Sequence, residues 1–254
     1  MTHLPARLSA TCLVTVFVMS SFAGGPPAPT SRPATAPAAA ADNTLTDAER
    51  RDGWELLFDG RTADGWRIGG RAVPAANVHD GCLNPHDAGE GRKDYVVYTT
   101  RTFGDFVLTC DFKIAPDCNS GVFVRVGDVA DPVQTGLEVQ ILDTAGKANP
   151  DRNDGGALYD ALAPSANAMR PAGEWNHVEI TARGGALRVV LNGRQVIDAD
   201  LDRWTAAGKN PDGSANKYKR PLKDFPRVGH VGLQDHHHDV WFKNIKVKPA
   251  PERP

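Results

Sequence analysis

The residues of this chain that could do chemistry gather near its middle, in two short runs that alternate with period two. These are 121–126 (GVFVRV) and 137–142 (LEVQIL). Read as strands, the first puts Phe123 and Arg125 on the face opposite Val122, Val124 and Val126. The second puts Glu138 and Gln140 opposite Leu137, Val139 and Ile141. A ring, a guanidinium, a carboxylate and an amide on one sheet surface suit a sugar. The ring offers an apolar platform and the polar groups match hydroxyls. The alternative is a plain solvated face, which antiparallel sheets allow.

Two further groups qualify. The stretch 136–143 (GLEVQILD) invites comparison with the Glu-x-Asp-x-x-Glu strand of laminarinase-type glycosidases, where two carboxylates work across a glycosidic bond. Here Gln140 stands at the central carboxylate's position and Asp143 at the acid's, on the wrong parity unless a bulge intervenes. The ordinary two-carboxylate mechanism does not fit. His236, His237 and His238 lie between Asp235 and Asp239. Adjacent residues on a strand point to opposite faces, whereas a metal needs converging side chains. The run therefore reads as a polar turn with no metal ligand assigned, and His236 alone as a proton carrier or hydrogen-bond donor.

These residues need a scaffold, and the chain around them reads as all-β. The run 106–113 sets Phe106, Leu108, Cys110 and Phe112 against Val107, Thr109, Asp111 and Lys113. The same rhythm continues at 176–181, 186–191, 194–198, 228–233 and 240–247. Asn192-Gly193 is a strong two-residue hairpin turn, since both residues tolerate positive φ. Only 45–50 suggests a helix, capped by Thr44 or Thr46. Two long aperiodic connections, 143–173 and 199–227, read as functional loops. Trp54, Trp66, Trp175 and Trp241 are expected mainly in the core.

The ends bound the compartment. Residues 1–23 combine Arg7, an apolar run from Leu8 to Met19 and small residues after it, which reads as a secretory signal peptide too short to span a bilayer. Residues 24–44 form a Pro/Ala-rich linker, 45–248 the folded domain and 249–254 a tail. Secretion or a periplasmic location follows, without stable membrane insertion. Three cysteines survive signal removal, Cys82, Cys110 and Cys118, which allows one bridge and leaves one thiol. The formal net charge of -2 gives no field to recruit nucleic acid.

The order of segments carries more than any one of them. Gly53-Trp54-Glu55-Leu56-Leu57-Phe58-Asp59-Gly60 is followed by Gly65-Trp66, Asp80-Gly81 and Phe103-Gly104-Asp105-Phe106. Asn119 to Arg125 (NSGVFVR) then precedes GLEVQILD, Gly156-Ala157-Leu158-Tyr159 and Pro171 to Asn176 (PAGEWN). Leu191-Asn192-Gly193, Gly232-Leu233-Gln234-Asp235-His236 and Val240-Trp241-Phe242 close the series. Over 50–248 this resembles the 3-keto-disaccharide hydrolase domain family, which implies a concanavalin A-like jelly-roll sandwich of two antiparallel sheets. It also implies action on glycosides whose sugar carries a ketone at carbon 3. That ketone acidifies the hydrogen on carbon 2; a base removes it, the group on carbon 1 leaves, and water adds to the enone.

Carried onto matching positions, the resemblance implies Glu138 as base or substrate anchor, with Arg125 and Gln140 stabilising oxyanion charge. Asp143, Tyr159 and His236 are candidates for proton delivery, and Asn119 and Gln234 for binding hydroxyls. A packed aromatic for Tyr159 and a turn-starting Asp for Asp143 are the structural alternatives. No cofactor is required, although a divalent cation such as calcium could sit at an Asp-rich loop such as 151–154. A glycoside is the implied partner, with a sugar 3-oxidoreductase as a functional link. A non-catalytic carbohydrate-binding module on the same sandwich, and a glycosidase acting on unoxidised glycans, remain the competing functions.

Overall fold

The computed structural model describes residues 41–86 and 96–251, so the expected signal peptide and most of the linker lie outside the described residues. In chain order the elements are α1 (Asp47–Arg51), β1 (Glu55–Leu56), β2 (Trp66–Ile68), β3 (Arg71–Ala72), β4 (Val78–His79), β5 (Cys82–Leu83), β6 (Val96–Phe103), β7 (Phe106–Ile114) and β8 (Asn119–Val126). Then come α2 (Pro132–Thr135), β9 (Leu137–Leu142), β10 (Trp175–Arg183), β11 (Ala186–Leu191), β12 (Arg194–Asp200), β13 (Gly229–Gln234) and β14 (Val240–Pro249). Every strand pairing is antiparallel.

Period-two alternation is what sorts these strands into layers. One sheet runs β12-β11-β10-β7-β14-β5-β4, with β1 beside β14; the other runs β3-β2-β6-β13-β8-β9. Along β7 every second residue from Phe106 to Ile114 is buried. Their side chains meet Val122, Val124, Val139, Ile141, Val231 and Leu233 from the six-stranded sheet in one shared core. Each large apolar side chain so buried contributes about 1.5–3 kcal/mol. The jelly-roll sandwich expected from the sequence is the observed fold.

Local details follow the local chemistry. Thr46 caps α1 and shares a reciprocal capping box with Glu49. Asn192 and Gly193 both take positive φ, as the hairpin between β11 and β12 requires. The fold starts slightly before residue 45: Asn43 is buried and exchanges backbone-to-amide hydrogen bonds with Asn244 at 2.6 and 2.8 Å. At the other end β14 runs to Pro249 and Ala250 still donates to Asp105, just past the expected limit.

One expectation about side chains needs correction, and one open possibility is resolved. Of the four tryptophans named above only Trp66 is fully buried, its Nε1 donating to the Leu57 carbonyl. Trp175 and Trp241 are half-buried on the outer face of the larger sheet, flanking Lys113, because β10 and β14 pair with β7 at that position. Cys82, Cys110 and Cys118 are all free and buried, so the one bridge that their number allowed is not formed. Burial pushes all three thiols above their ordinary range. Among the described residues no helix is long and apolar enough to cross a membrane.

Candidate functional site

The outer face of the six-stranded sheet carries the polar residues, because its inner face is spent on the core. Register sets their spacing: on β8 and β9, Phe123 pairs with Glu138 and Gly121 with Gln140. Residues 119, 121 and 123 thus share a face with 138 and 140. Gly121 leaves the room that Glu138 needs, since a Cβ there would sit 2.6 Å from the Glu138 Oε1. Gln234, the last residue of β13, completes the row.

The long connections do supply the walls. The 143–173 segment folds back along the free edge of β9: Gln140 donates to Ala157, Gly156 to Gln140 and Tyr159 to Glu138, all through the backbone. That carries Tyr159 onto the face. The second long connection brings Lys217, whose backbone amide donates to Asp160 at 2.6 Å and whose carbonyl accepts from Gln134 of α2. Tyr218, buried behind it, donates its hydroxyl to the Tyr159 carbonyl at 2.6 Å. The result is a cavity of about 400 Å³ lined by Asn119, Glu138, Gln140, Tyr159, Lys217 and Gln234, with Val133 and Asp235–His237 along its rim. That volume is within the ordinary span of small-molecule sites.

Inside the cavity Glu138 is the distinctive group. It is buried, and burial pushes its carboxyl up from 4.5 to about 7, with the nearby Lys217 charge and the Gln234 hydrogen bond pulling the other way. Lys217 Nζ lies 3.7 Å from its Oε2 and 3.8 Å from the centroid of the Tyr159 ring. Burial lowers the Lys217 pKa, while Glu138 and Asp160 oppose that. Gln234 Nε2 donates to Glu138 Oε1 at 2.9 Å, and Gln140 Nε2 to Asn119 Oδ1 at 3.2 Å. Both amides are thereby oriented, and among the described residues their Oε1 atoms are buried without a hydrogen-bond partner. Two acceptors aimed at nothing are costly unless a ligand supplies donors, which hydroxyl groups do.

Six of the nine residues named from the sequence line this cavity: Asn119, Glu138, Gln140, Tyr159, Gln234 and His236. The other three do not. Arg125 is fully buried and points away from the site. Two steps along β13, from His230 to Gly232, oppose three along β8, from Val126 to Phe123, so β8 carries one extra residue. Arg125 takes that bulge with φ +54°, which moves Val126 onto the outer face beside Phe123 and sends Arg125 between the layers. Its guanidinium donates to the Gly104 and Gly184 carbonyls and to Asp105 Oδ1 at 3.0, 2.7 and 2.8 Å. Burial pulls its pKa down to about 10.

Phe123 is on the expected face but fully buried, packed with Val96 and Val126, so it offers no platform to a ligand. Asp143 directly follows β9 and accepts from the Asp117 backbone, the turn role that its parity allows. The cation expected of Arg125 is instead Lys217, which came from an aperiodic loop and left no pattern to find. The 151–154 loop has its own cation, since Asp151 and Asp154 both hold Lys147 Nζ.

The chain matches the family model of the 3-keto-alpha-glucoside-1,2-lyase-like domain over residues 53–248. It is 28% identical to the 3-keto-disaccharide hydrolase of Bacteroides thetaiotaomicron over 228 residues, covering 78% of each chain. A glycosyl hydrolase candidate from Parabacteroides distasonis superposes with a TM-score of 0.65 at 30% identity, covering 78% of this chain and 99% of that one. A second from the same organism gives 0.67 at 26% identity, covering 83% and 100%.

Proposed function

This chain belongs to the 3-keto-alpha-glucoside-1,2-lyase-like family and is a glycoside hydrolase-like enzyme, and from that premise we propose that it cleaves 3-keto-glycosides by elimination followed by hydration. The observation that carries this is one buried carboxyl held near neutrality, Glu138, facing a cation and two unpartnered amide oxygens. A base poised near pH 7 suits removal of a carbon-bound proton that a neighbouring ketone has acidified.

Glu138 takes the hydrogen on carbon 2, and the electron pair passes into the enolate. Lys217 Nζ offsets the developing negative charge. The enolate collapses, the carbon 1–oxygen bond breaks, and the leaving oxygen takes a proton from His236 at the cavity rim. Water then adds its hydroxyl to carbon 1 and gives its proton to His236, while Glu138, its proton exchanged with solvent, protonates carbon 2. The sum is hydrolysis. Gln140 and Gln234 accept from sugar hydroxyls through their Oε1 atoms, and Asn119 donates through its amide. The other carboxylate on the wall, Asp235, is engaged by His86 and the His237 amide.

Two further readings belong to the same proposal. The basic, apolar, then small-residue start of 1–23 supports export to the periplasm or beyond. The substrate's ketone requires an oxidoreductase acting at carbon 3 of the sugar. The test pairs a plain disaccharide with its 3-keto derivative, each incubated in deuterium oxide and followed by mass spectrometry. Turnover of the keto form alone, with one deuterium at carbon 2 of the released keto-sugar, is expected. Equal turnover of both, or release without deuterium, overturns elimination; binding without turnover supports the carbohydrate-binding alternative.

A further inference from the structure

Beside the base, on the rim of the same cavity, sits a cluster that the mechanism above does not use. His86, Asp235 and His237 bring one donor atom each to within 4.8 Å of one another. We propose that these three residues hold a first-row divalent transition-metal ion.

The cluster is assembled from two distant segments. Asp235 directly follows β13, is buried, and its Oδ1 lies 3.1 Å from His86 Nδ1. His86 comes from the segment after β5 and is held in place through its backbone. Its amide donates to Asn84 Oδ1 at 2.9 Å, and Asn77 Nδ2 reaches its carbonyl at 3.3 Å. Asn84 in turn donates to Asp239 at 2.9 Å, tying that segment to the turn carrying His237. His237 has φ +62°, a conformation that a non-glycine residue adopts at a cost, and its amide donates to Asp235 Oδ1 at 2.8 Å. The objection that adjacent residues diverge holds for the run as a run: His236 and His238 stack on one another. Asp235 and His237, two apart on a reversing turn, are the pair that converges.

An ion pair alone does not account for the set. One carboxylate neutralises one imidazolium, while two imidazoles face it here. Two neutral imidazoles and one carboxylate carry a net charge of −1, which favours a dication. They match the three-ligand, open-position pattern of catalytic zinc and related sites. Ligand atoms about 2.1 Å from a tetrahedral ion lie about 3.4 Å apart, so His86 and Asp235, at 3.1 Å, already stand near bonding separation and the exposed His237 closes by a small movement. Calcium is a poor occupant, because it takes six to eight oxygen ligands.

The position gives the ion a use. Asp235 and His237 line the cavity that also contains Glu138 and Gln234. A cation there meets the oxygens of a bound α-hydroxy-ketone, whose enolate charge it would share. This use rests on the function proposed above; the binding does not.

The full chain, stripped with chelator and dialysed, is titrated with cobalt(II) and zinc(II) by calorimetry and visible absorption. One ion per chain at micromolar or tighter affinity is expected, with cobalt d–d bands that zinc displaces and calcium does not. His237→Ala and Asp235→Asn should each weaken binding at least tenfold, with circular dichroism unchanged, while His236→Ala and His238→Ala stay within twofold. Absence of binding, or binding that follows His236 and His238 instead, overturns the proposal. Neither outcome depends on turnover, so the metal site and the elimination mechanism fail separately.

Discussion

Burial raises the Glu138 carboxyl and Lys217 opposes it, which gives the site a testable pH dependence. Because burial raises the folded-state pKa to about 7, the base is ionised only above that value, and kcat/KM should rise through an acid limb near pH 7. Replacing Lys217 with Met removes the positive charge 3.7 Å from the carboxylate. The limb should then move up by about one unit, with a lower plateau as the enolate loses its cation. A limb that stays in place would remove Glu138 from the role of base. The same shift has a stability sign. The folded protein holds this proton more tightly than the unfolded chain, so the carboxyl's contribution is intact below pH 4.5 and lost as pH rises through 7. Gly121→Ala probes position rather than charge. The new Cβ would lie 2.6 Å from Glu138 Oε1, so the carboxylate must move although the backbone tolerates alanine. We expect a stability loss of about 1–2 kcal/mol by thermal melting. Turnover of a 3-keto-glycoside should fall about 100-fold, as a 1 Å misplacement can cost. Unchanged turnover would mean that the carboxylate's placement does not matter.

At the scale of elements, the sequence shows alternation well and interruptions of alternation poorly. β7 and β9 were readable because each second residue is apolar and stays buried. In β8 the pattern Val122, Val124, Val126 runs on without a break, yet the backbone inserts a bulge at Arg125. Nothing in the residues of β8 marks that step; across from it, Gly229 on β13 leaves room for the Arg125 backbone, which a Cβ there would approach to 2.3 Å. Arg125 therefore belongs to architecture. It fastens the β6–β7 turn to the β10–β11 turn, and Asp105 Oδ1 also accepts from the Gly184 amide at 2.8 Å. Arg125→Met should cost about 3 kcal/mol, since it leaves the half-buried Gly104 and Gly184 carbonyls without their donors and removes the cation paired with Asp105. For a domain of this size that lowers the melting temperature by roughly 6–12 °C. The surviving folded enzyme should keep kcat/KM within about threefold, the reverse of Lys217→Met. A large loss of kcat/KM at unchanged stability would return Arg125 to the active site. Lys217 and His86 were invisible for a different reason: they sit on segments without periodicity, where only the folded backbone decides what meets the cavity.

For the whole molecule the question is what holds two sheets together in a compartment that the sequence reads as oxidising. A secreted small domain often relies on disulfides, but this sandwich is large enough to bury a continuous core from Phe58 to Val247. Its cysteines are part of that core and behave as small apolar residues: Cys110 sits on the inner face of β7, and Cys118 just before β8. Burial raises both thiols, which removes the thiolate that oxidation needs. The prediction is that Cys82, Cys110 and Cys118 resist alkylation in the native protein. All three should become labelled in guanidinium without prior reduction, as peptide mass spectrometry would show. The melting temperature should likewise be the same with and without reductant, because no covalent loop closure restricts the unfolded chain. A bridged pair recovered from the native protein, or a melting temperature that falls on reduction, would mean that the sandwich depends on a cross-link its core was thought to make unnecessary.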